Sequence, residues 1–329
     1  MRKKRLHKKD YVDGILAGDR LVLSRAITLI ESKSPADLPL AEEVLQAILG
    51  HTGKSVRIGV TGVPGVGKST FIESFGTQLT ATGKQLAVLT IDPSSQKTRG
   101  SILGDKTRME ELARNPKAFI RPSASGTTLG GVSNKTREVM LLCEAAGFDV
   151  ILIETVGVGQ SETLVHGMVD FFLLLMLSGA GDELQGIKKG IMEMAHAVVI
   201  NKADGDNVKS AKRAKAEYQN ALHLFPADSS GWIPQVKLCS SLQHEGITEI
   251  WEMIQTHAEQ MHSNGFLNQN RQQQQLSWFE ENLQELLGNQ FFSHEAIKNK
   301  LPGIQQKVAA GELPALNAAH LLIDTFFKK

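Results

Sequence analysis

Gly62-Val-Pro-Gly-Val-Gly-Lys-Ser69, with the apolar run 56–61 ahead of it and a helix-like run 69–82 behind, decides the fold. It fits G-x-x-x-x-G-K-[ST], and the strand–loop–helix setting gives that pattern its meaning. Glycines at 62, 65 and 67 let the backbone turn tightly and aim amides at phosphate oxygens. The helix that follows adds the partial positive charge of its N-terminus. The pattern predicts that Gly62, Val63, Pro64, Gly65, Val66, Gly67, Lys68, Ser69 and Thr70 surround the phosphates of a nucleotide. Lys68 would bridge the β- and γ-phosphates, and the Ser69 hydroxyl would ligate Mg2+.

Working outward, short β-branched runs occur at 56–61, 86–91, 150–153, 171–177, 197–200 and 236–238. Each is nearly all apolar rather than alternating, as parallel strands covered on both faces require. Helix-like stretches such as 69–82, 136–146 and 210–222 lie between them. Strands alternating with helices predict an α/β, doubly wound, mainly parallel sheet. Ligands of such sheets sit beyond the carboxyl ends of the strands, and the chemical motifs of this chain all fall at such ends.

Asn201-Lys-Ala-Asp204 follows the apolar run 197–200. A carboxylate at Asp204 can accept from guanine N1–H and from the 2-amino group. Adenine lacks that amino group and places a lone pair at N1, so it would leave a buried charge unpaired. The Lys202 stem can cover the base, and Asn201 can tie this loop to the phosphate loop. After the run 236–238 comes Cys239-Ser240-Ser241-Leu242, where a backbone amide can reach guanine O6. GTP is therefore preferred over ATP.

Mg2+ takes oxygen ligands and keeps several waters. Three carboxylates stand at or near strand ends: Asp92, Asp105 and Glu154. Each is a candidate metal ligand, with a helix cap or a solvated loop charge as the lesser reading of Asp92 and Asp105. Glu154 is also a catalytic candidate, since Gly157 just beyond it can bring an amide to the γ-phosphate. Glycine-rich stretches at 99–104, 126–131 and 157–159 have the composition of switch loops. Hydrolysis needs a positioned water and charge neutralisation. Lys68 and Mg2+ would supply part of the neutralisation. Gln160 is a candidate for the water, although it follows Gly157 by three positions, unlike the D-x-x-G-Q order. No arginine finger is assigned, with Arg99 and Arg108 near the relevant loop.

At the N-terminus, 11–33 and 38–51 read as helices separated by Ser34-Pro35. Beyond 263, Leu276, Phe279, Leu283, Leu286 and Leu287 recur at helical spacing. Ala315, Ala319, Leu322, Ile323, Phe326 and Phe327 form a second apolar face, with Pro302 and Pro314 as expected breaks. These faces either pack back on the central domain or pair with a second subunit. A net charge of +1 over 329 residues offers no field for nucleic acid. The basic start at Arg2, Lys3, Lys4, Arg5, Lys8 and Lys9 reads as a solvated tail. The longest apolar run, 171–177, is too short to span a bilayer. With only Cys143 and Cys239, disulfide stapling lacks support, and a cytoplasmic location is expected.

Three longer runs carry a resemblance: Thr90-Ile-Asp-Pro-Ser-Ser95, Gly100-Ser-Ile-Leu-Gly-Asp-Lys-Thr-Arg-Met109 and Glu154-Thr-Val-Gly-Val-Gly-Gln-Ser-Glu162. With the phosphate loop and base reader they closely resemble the MeaB/ArgK family of P-loop GTPases, over about the whole chain. One departure is Gln96-Lys97, where the family commonly has Thr-Arg. The resemblance implies a GTPase that serves a B12-dependent acyl-CoA mutase, most often methylmalonyl-CoA mutase. It would gate adenosylcobalamin loading and protect the mutase during turnover. The adenosyltransferase that supplies the cobalamin is a further implied partner. The family also implies a homodimer joined through a C-terminal helical arm. The chain would then divide into a helical extension at 1–52, a GTPase domain at 53–262 and a dimerisation arm at 263–329. The run 178–190, with Asp182, Glu183, Lys188 and Lys189, reads either as a glycine-rich connection or as a partner-sensing switch. An older family label, a kinase or ATPase for basic amino-acid transport, competes as a name. A metal-insertion GTPase would carry a Cys/His cluster, which this sequence lacks.

Overall fold

A computed structural model describes residues 5–91, 109–122, 129–155, 161–179, 189–225 and 229–327. The chain forms two compact units, 1–272 and 273–329. The first is built on a seven-stranded sheet, every pairing of which is parallel. Its strands are β1 (Val56–Gly62), β2 (Leu86–Ile91), β3 (Ala118–Pro122), β4 (Val150–Thr155), β5 (Phe171–Met176), β6 (Ala197–Ile200) and β7 (Gln235–Leu238), in the order β3-β2-β4-β1-β5-β6-β7. Ile58, Val60, Val88, Leu152, Phe171, Leu173 and Val199 are almost fully buried, as runs covered on both faces must be. The chain builds one side of β1 first and crosses to the other after β4. The carboxyl ends of β1, β4, β6 and β7 thus share one end of the sheet.

The helices around the sheet are α1 (Lys8–Leu16), α2 (Arg20–Ile30), α3 (Leu38–Ile48), α4 (Lys68–Ala81), α5 (Glu110–Arg114), α6 (Leu129–Ala145), α7 (Ser161–His166), α8 (Lys189–Glu193), α9 (Val208–Leu222) and α10 (Ile247–Ser263). The single helix expected over 11–33 is instead two. Asp19 ends the first by capping the second, accepting from the amides of Leu21 and Val22. The strand β3 was not expected. It carries Arg121 and Pro122, a charge and a strand breaker within five residues, and among the described residues it pairs with β2 alone, so it lacks the apolar signature of the inner strands. The glycine-rich stretch 126–131 is partly helix, since Gly130 and Gly131 lie in the first turn of α6.

At the end of the sheet remote from the phosphate loop, Arg57 of β1 forms a buried ion pair with Glu144 of α6, at 2.8 and 3.0 Å. The same carboxylate accepts from the Gly53 amide. Asp170 accepts from the Arg57 amide and from Arg271, whose guanidinium also donates to the carbonyls of Gly53 and Ser55.

The helix α11 (Phe266–Ser293) begins in the first unit and continues into the second, which also holds α12 (Glu295–Ala309) and α13 (Ala315–Phe327). Ile297, Ile304, Ala318 and Leu322 form the core of that second unit. Pro302 lies inside α12 rather than ending it, against expectation. A proline removes one internal hydrogen bond there, and the α12–α13 packing carries the helix through it. Leu276, Phe279, Leu283, Leu286 and Leu287 are all exposed. No described helix is long and apolar enough to cross a membrane.

Candidate nucleotide site

Between β1 and α4 the loop 63–67 turns at the sheet's carboxyl end. Val66 is drawn into the core, whereas Pro64, Gly65 and Thr70 are exposed. The first amides of α4 have no partner within the helix, which makes its N-terminus a site for anionic oxygen. Lys68 Nζ folds back to donate to the carbonyls of Gly62 at 2.7 Å and Val63 at 3.2 Å. Burial lowers the Lys68 pKa, and the negative charges of Glu154 and Glu162 pull it partly back. The Ser69 hydroxyl lies 3.4 Å from Glu154 Oε1. Glu154 sits within β4, in register with Val60 of β1 and Thr90 of β2, rather than just beyond the strand. Behind it the Thr155 hydroxyl donates to that of Thr61 at 2.8 Å. A hydroxyl and a carboxylate are hard oxygen donors that fit a small divalent cation. Asp92, Asp105, Gly157 and Gln160 lie outside the described residues, as do Arg99, Arg108, Asp182 and Lys188.

Asn201 joins its own loop and the loop 239–241 to the loop 63–67. Its Nδ2 donates to the Val66 carbonyl at 2.9 Å, while its Oδ1 accepts from the Ser241 hydroxyl at 2.8 Å, the Ser241 amide at 3.2 Å and Cys239 Sγ at 3.3 Å. Space is tight: a Cβ on Gly67, at φ +91°, would stand 2.9 Å from Asn201 Nδ2. Glycine is the residue that fits this left-handed turn. Lys202 is also left-handed, at φ 58°, and its Nζ donates to the Gly65 carbonyl at 3.0 Å. The carbonyl of Lys202 accepts from Asn207, which in turn accepts from Ser178. Asp204 accepts a hydrogen bond from the Ser240 hydroxyl. Leu242 is exposed, and its amide makes none of the loop's hydrogen bonds.

The Cys239 side chain is a partner that sequence reasoning missed, having noted only the backbone at this position. Burial pushes its thiol up to about 12, with the Ser241 hydrogen bond acting in the opposite direction. It therefore remains an S–H donor to Asn201. The only available signal was its place immediately after an apolar run.

These elements bring the first amides of α4, Lys68, the Ser69–Glu154 oxygen pair and the Asp204 carboxylate to one end of one sheet. The matches to other proteins agree with that geometry. Residues 23–296 match the family described as methylmalonyl Co-A mutase-associated GTPase MeaB. The chain is 50% identical over 278 residues to GTPase ArgK of Escherichia coli, covering 84% of each chain. It is 47% identical over 323 residues to the methylmalonic aciduria type A homolog, mitochondrial, of Mus musculus, covering 95% of this chain and 78% of that one. A crystal structure titled LAO/AO transport system kinase superposes with a TM-score of 0.77 at 39% identity, covering 98% of both chains. By sequence and by fold, the chain belongs to the MeaB family of P-loop GTPases.

Proposed function

We propose that this GTPase uses its nucleotide state to gate adenosylcobalamin loading into a B12-dependent acyl-CoA mutase, methylmalonyl-CoA mutase first among the candidates, and to protect that mutase in turnover. The family description and the name of the mouse relative support the client. The observation that carries the nucleotide part is the Asn201 junction. One amide side chain binds the phosphate loop and the base-reading loop together, beside an Asp204 carboxylate that the Ser240 hydroxyl steadies.

In this reading Gly62 to Thr70 and Gly157 hold the phosphates, and Asn201, Lys202, Asp204 and the loop Ser240-Ser241-Leu242 hold the base. Asp204 accepts from guanine N1–H and the 2-amino group. Ser69 and Glu154, with Asp92 and Asp105, would hold Mg2+, which supplies charge neutralisation at the phosphates when bound. Lys68 leaves the carbonyls of Gly62 and Val63 for the β- and γ-phosphate oxygens. Gln160 orients the attacking water. With no arginine finger assigned, turnover is slow alone and faster with the mutase. The protein acts in the cytoplasm as a homodimer, and the adenosyltransferase is a second partner.

Two measurements test this. Single-turnover GTP hydrolysis should accelerate when the mutase is added, and equal rates would sink the gating idea. Copurification from the native cell should recover a mutase in a GTP-dependent manner, whereas recovery of a transporter component would overturn the assignment of client.

A further inference from the structure

The loop 240–246 closes on itself. Ser240 and Glu245 exchange backbone hydrogen bonds at 3.0 and 3.1 Å, and the Gln243 amide donates to the Ser240 hydroxyl. Its exit requires glycine, because a Cβ on Gly246, at φ +74°, would stand 2.3 Å from the Leu238 carbonyl oxygen. Asn201 and Asp204 hold the near end of this hairpin through Ser241 and Ser240. The far end is held by a side chain unconnected with the sequence motifs. His244 Nδ1 lies 2.7 Å from the Ser74 hydroxyl, and Ser74 is a buried residue of α4, six positions beyond Lys68. Thr248, just past the loop, takes a second bond from Gln78 of the same helix.

His244 reaches Ser74 from a left-handed backbone, at φ 58°. Such a conformation is unfavourable for a residue with a Cβ and persists where surrounding contacts enforce it. Among the described residues the other left-handed non-glycine is Lys202, itself part of the base reader. The two unfavourable backbones thus stand on the two loops that would enclose one purine.

We propose that His244 is a positioning residue for recognition of the purine O6 oxygen: by latching the 240–246 loop to α4, it sets the span between the Leu242 amide and the phosphate cradle at the start of that helix. The proposal rests on the reading of this site as a guanine site. It makes no contact with the nucleotide necessary for His244. What the latch provides is preorganisation, so its loss reduces affinity for bases that carry O6.

The chemistry of the ring supplies the test. Nδ1 branches from Cγ, where an asparagine amide also branches, and asparagine tolerates the left-handed region. Glutamine instead places its amide further out, and alanine offers nothing to Ser74. The intact chain is titrated with GDP, with IDP, which keeps O6 but lacks the 2-amino group, and with 2-aminopurine riboside diphosphate, which lacks O6. His244→Ala and Ser74→Ala should each weaken GDP and IDP alike by about 3- to 10-fold, the typical worth of one hydrogen bond. The double variant should be no weaker than either, His244→Asn should restore affinity, and His244→Gln should not. Affinity for the 2-aminopurine nucleotide, weaker throughout, should be unmoved by any of these changes. The proposal fails if His244→Ala binds GDP as the wild type does, if His244→Asn is as weak as His244→Ala, or if the 2-aminopurine nucleotide suffers the same loss. A wild-type protein that binds ADP as tightly as GDP would instead sink the guanine reading itself, before any variant is made.

Discussion

At the scale of single residues, Lys68 is held by opposing forces. Burial disfavours its charge, Glu154 and Glu162 favour it, and the balance lies below the ordinary lysine value of 10.5. A lysine with a lowered folded pKa penalises folding while it is protonated in both states. That penalty fades as pH rises from the folded value to the unfolded one, so the nucleotide-free protein gains stability across this window. In the proposed site phosphate would meet the charged form, and affinity should run the other way. GDP binding, followed by calorimetric titration, should be level at lower pH and fall as pH climbs through the window beneath 10.5. Lys68→Arg, weaker but permanently charged, should show a shallower fall, the remainder being loss of the guanine N1 proton that Asp204 would accept. Asn201 illustrates a different point about single residues. Its tie to the loop 63–67 was legible, but the three donors it meets on Cys239 and Ser241 were not, because they come from a loop about 40 positions away.

At the scale of elements, β1 is both the strand that leads into the phosphate loop and the strand that carries Arg57. Arg57 and Glu144 are nearly inaccessible, at 5% and 0% side-chain exposure, which decides the magnitude. Removing one partner of a fully buried pair leaves an uncompensated charge and costs roughly 3–5 kcal/mol, far more than the net worth of the pair. Glu144→Ala should therefore lose about that much in urea unfolding, and Arg57→Met with Glu144→Leu should recover most of it. A loss below about 1 kcal/mol for Glu144→Ala would mean that water or a neighbour replaces the carboxylate. The inner strands were readable as elements because their runs are dominated by apolar, largely β-branched residues between turn signals. The edge strand β3 was not, since five residues that include Arg121 and Pro122 are a strand only beside β2.

At the scale of the whole molecule, the second unit leaves a stripe of large apolar residues in water. Phe279, Leu283, Leu286 and Leu287 recur along α11 at 45–65% exposure, and a contiguous apolar stripe on a helix marks an interaction face. With homodimerisation as the proposed occupant, the wild type should sediment as a dimer. Phe279→Glu with Leu286→Glu should sediment as a monomer that still binds GDP. A dimer that persists in that variant would place the interface elsewhere. By itself the sequence determined the nucleotide class, the parallel sheet and the family. Each follows from requirements local to a few residues: a glycine turn before a helix, a carboxylate after a buried strand, an apolar run without alternation. Only the tertiary structure decided which side chains hold those local pieces in mutual position. Asn201 reaches Val66 from 135 residues away and His244 reaches Ser74 from 170. Partners so distant are chosen by the order of strands in the sheet, and periodicity along the chain carries no trace of that choice.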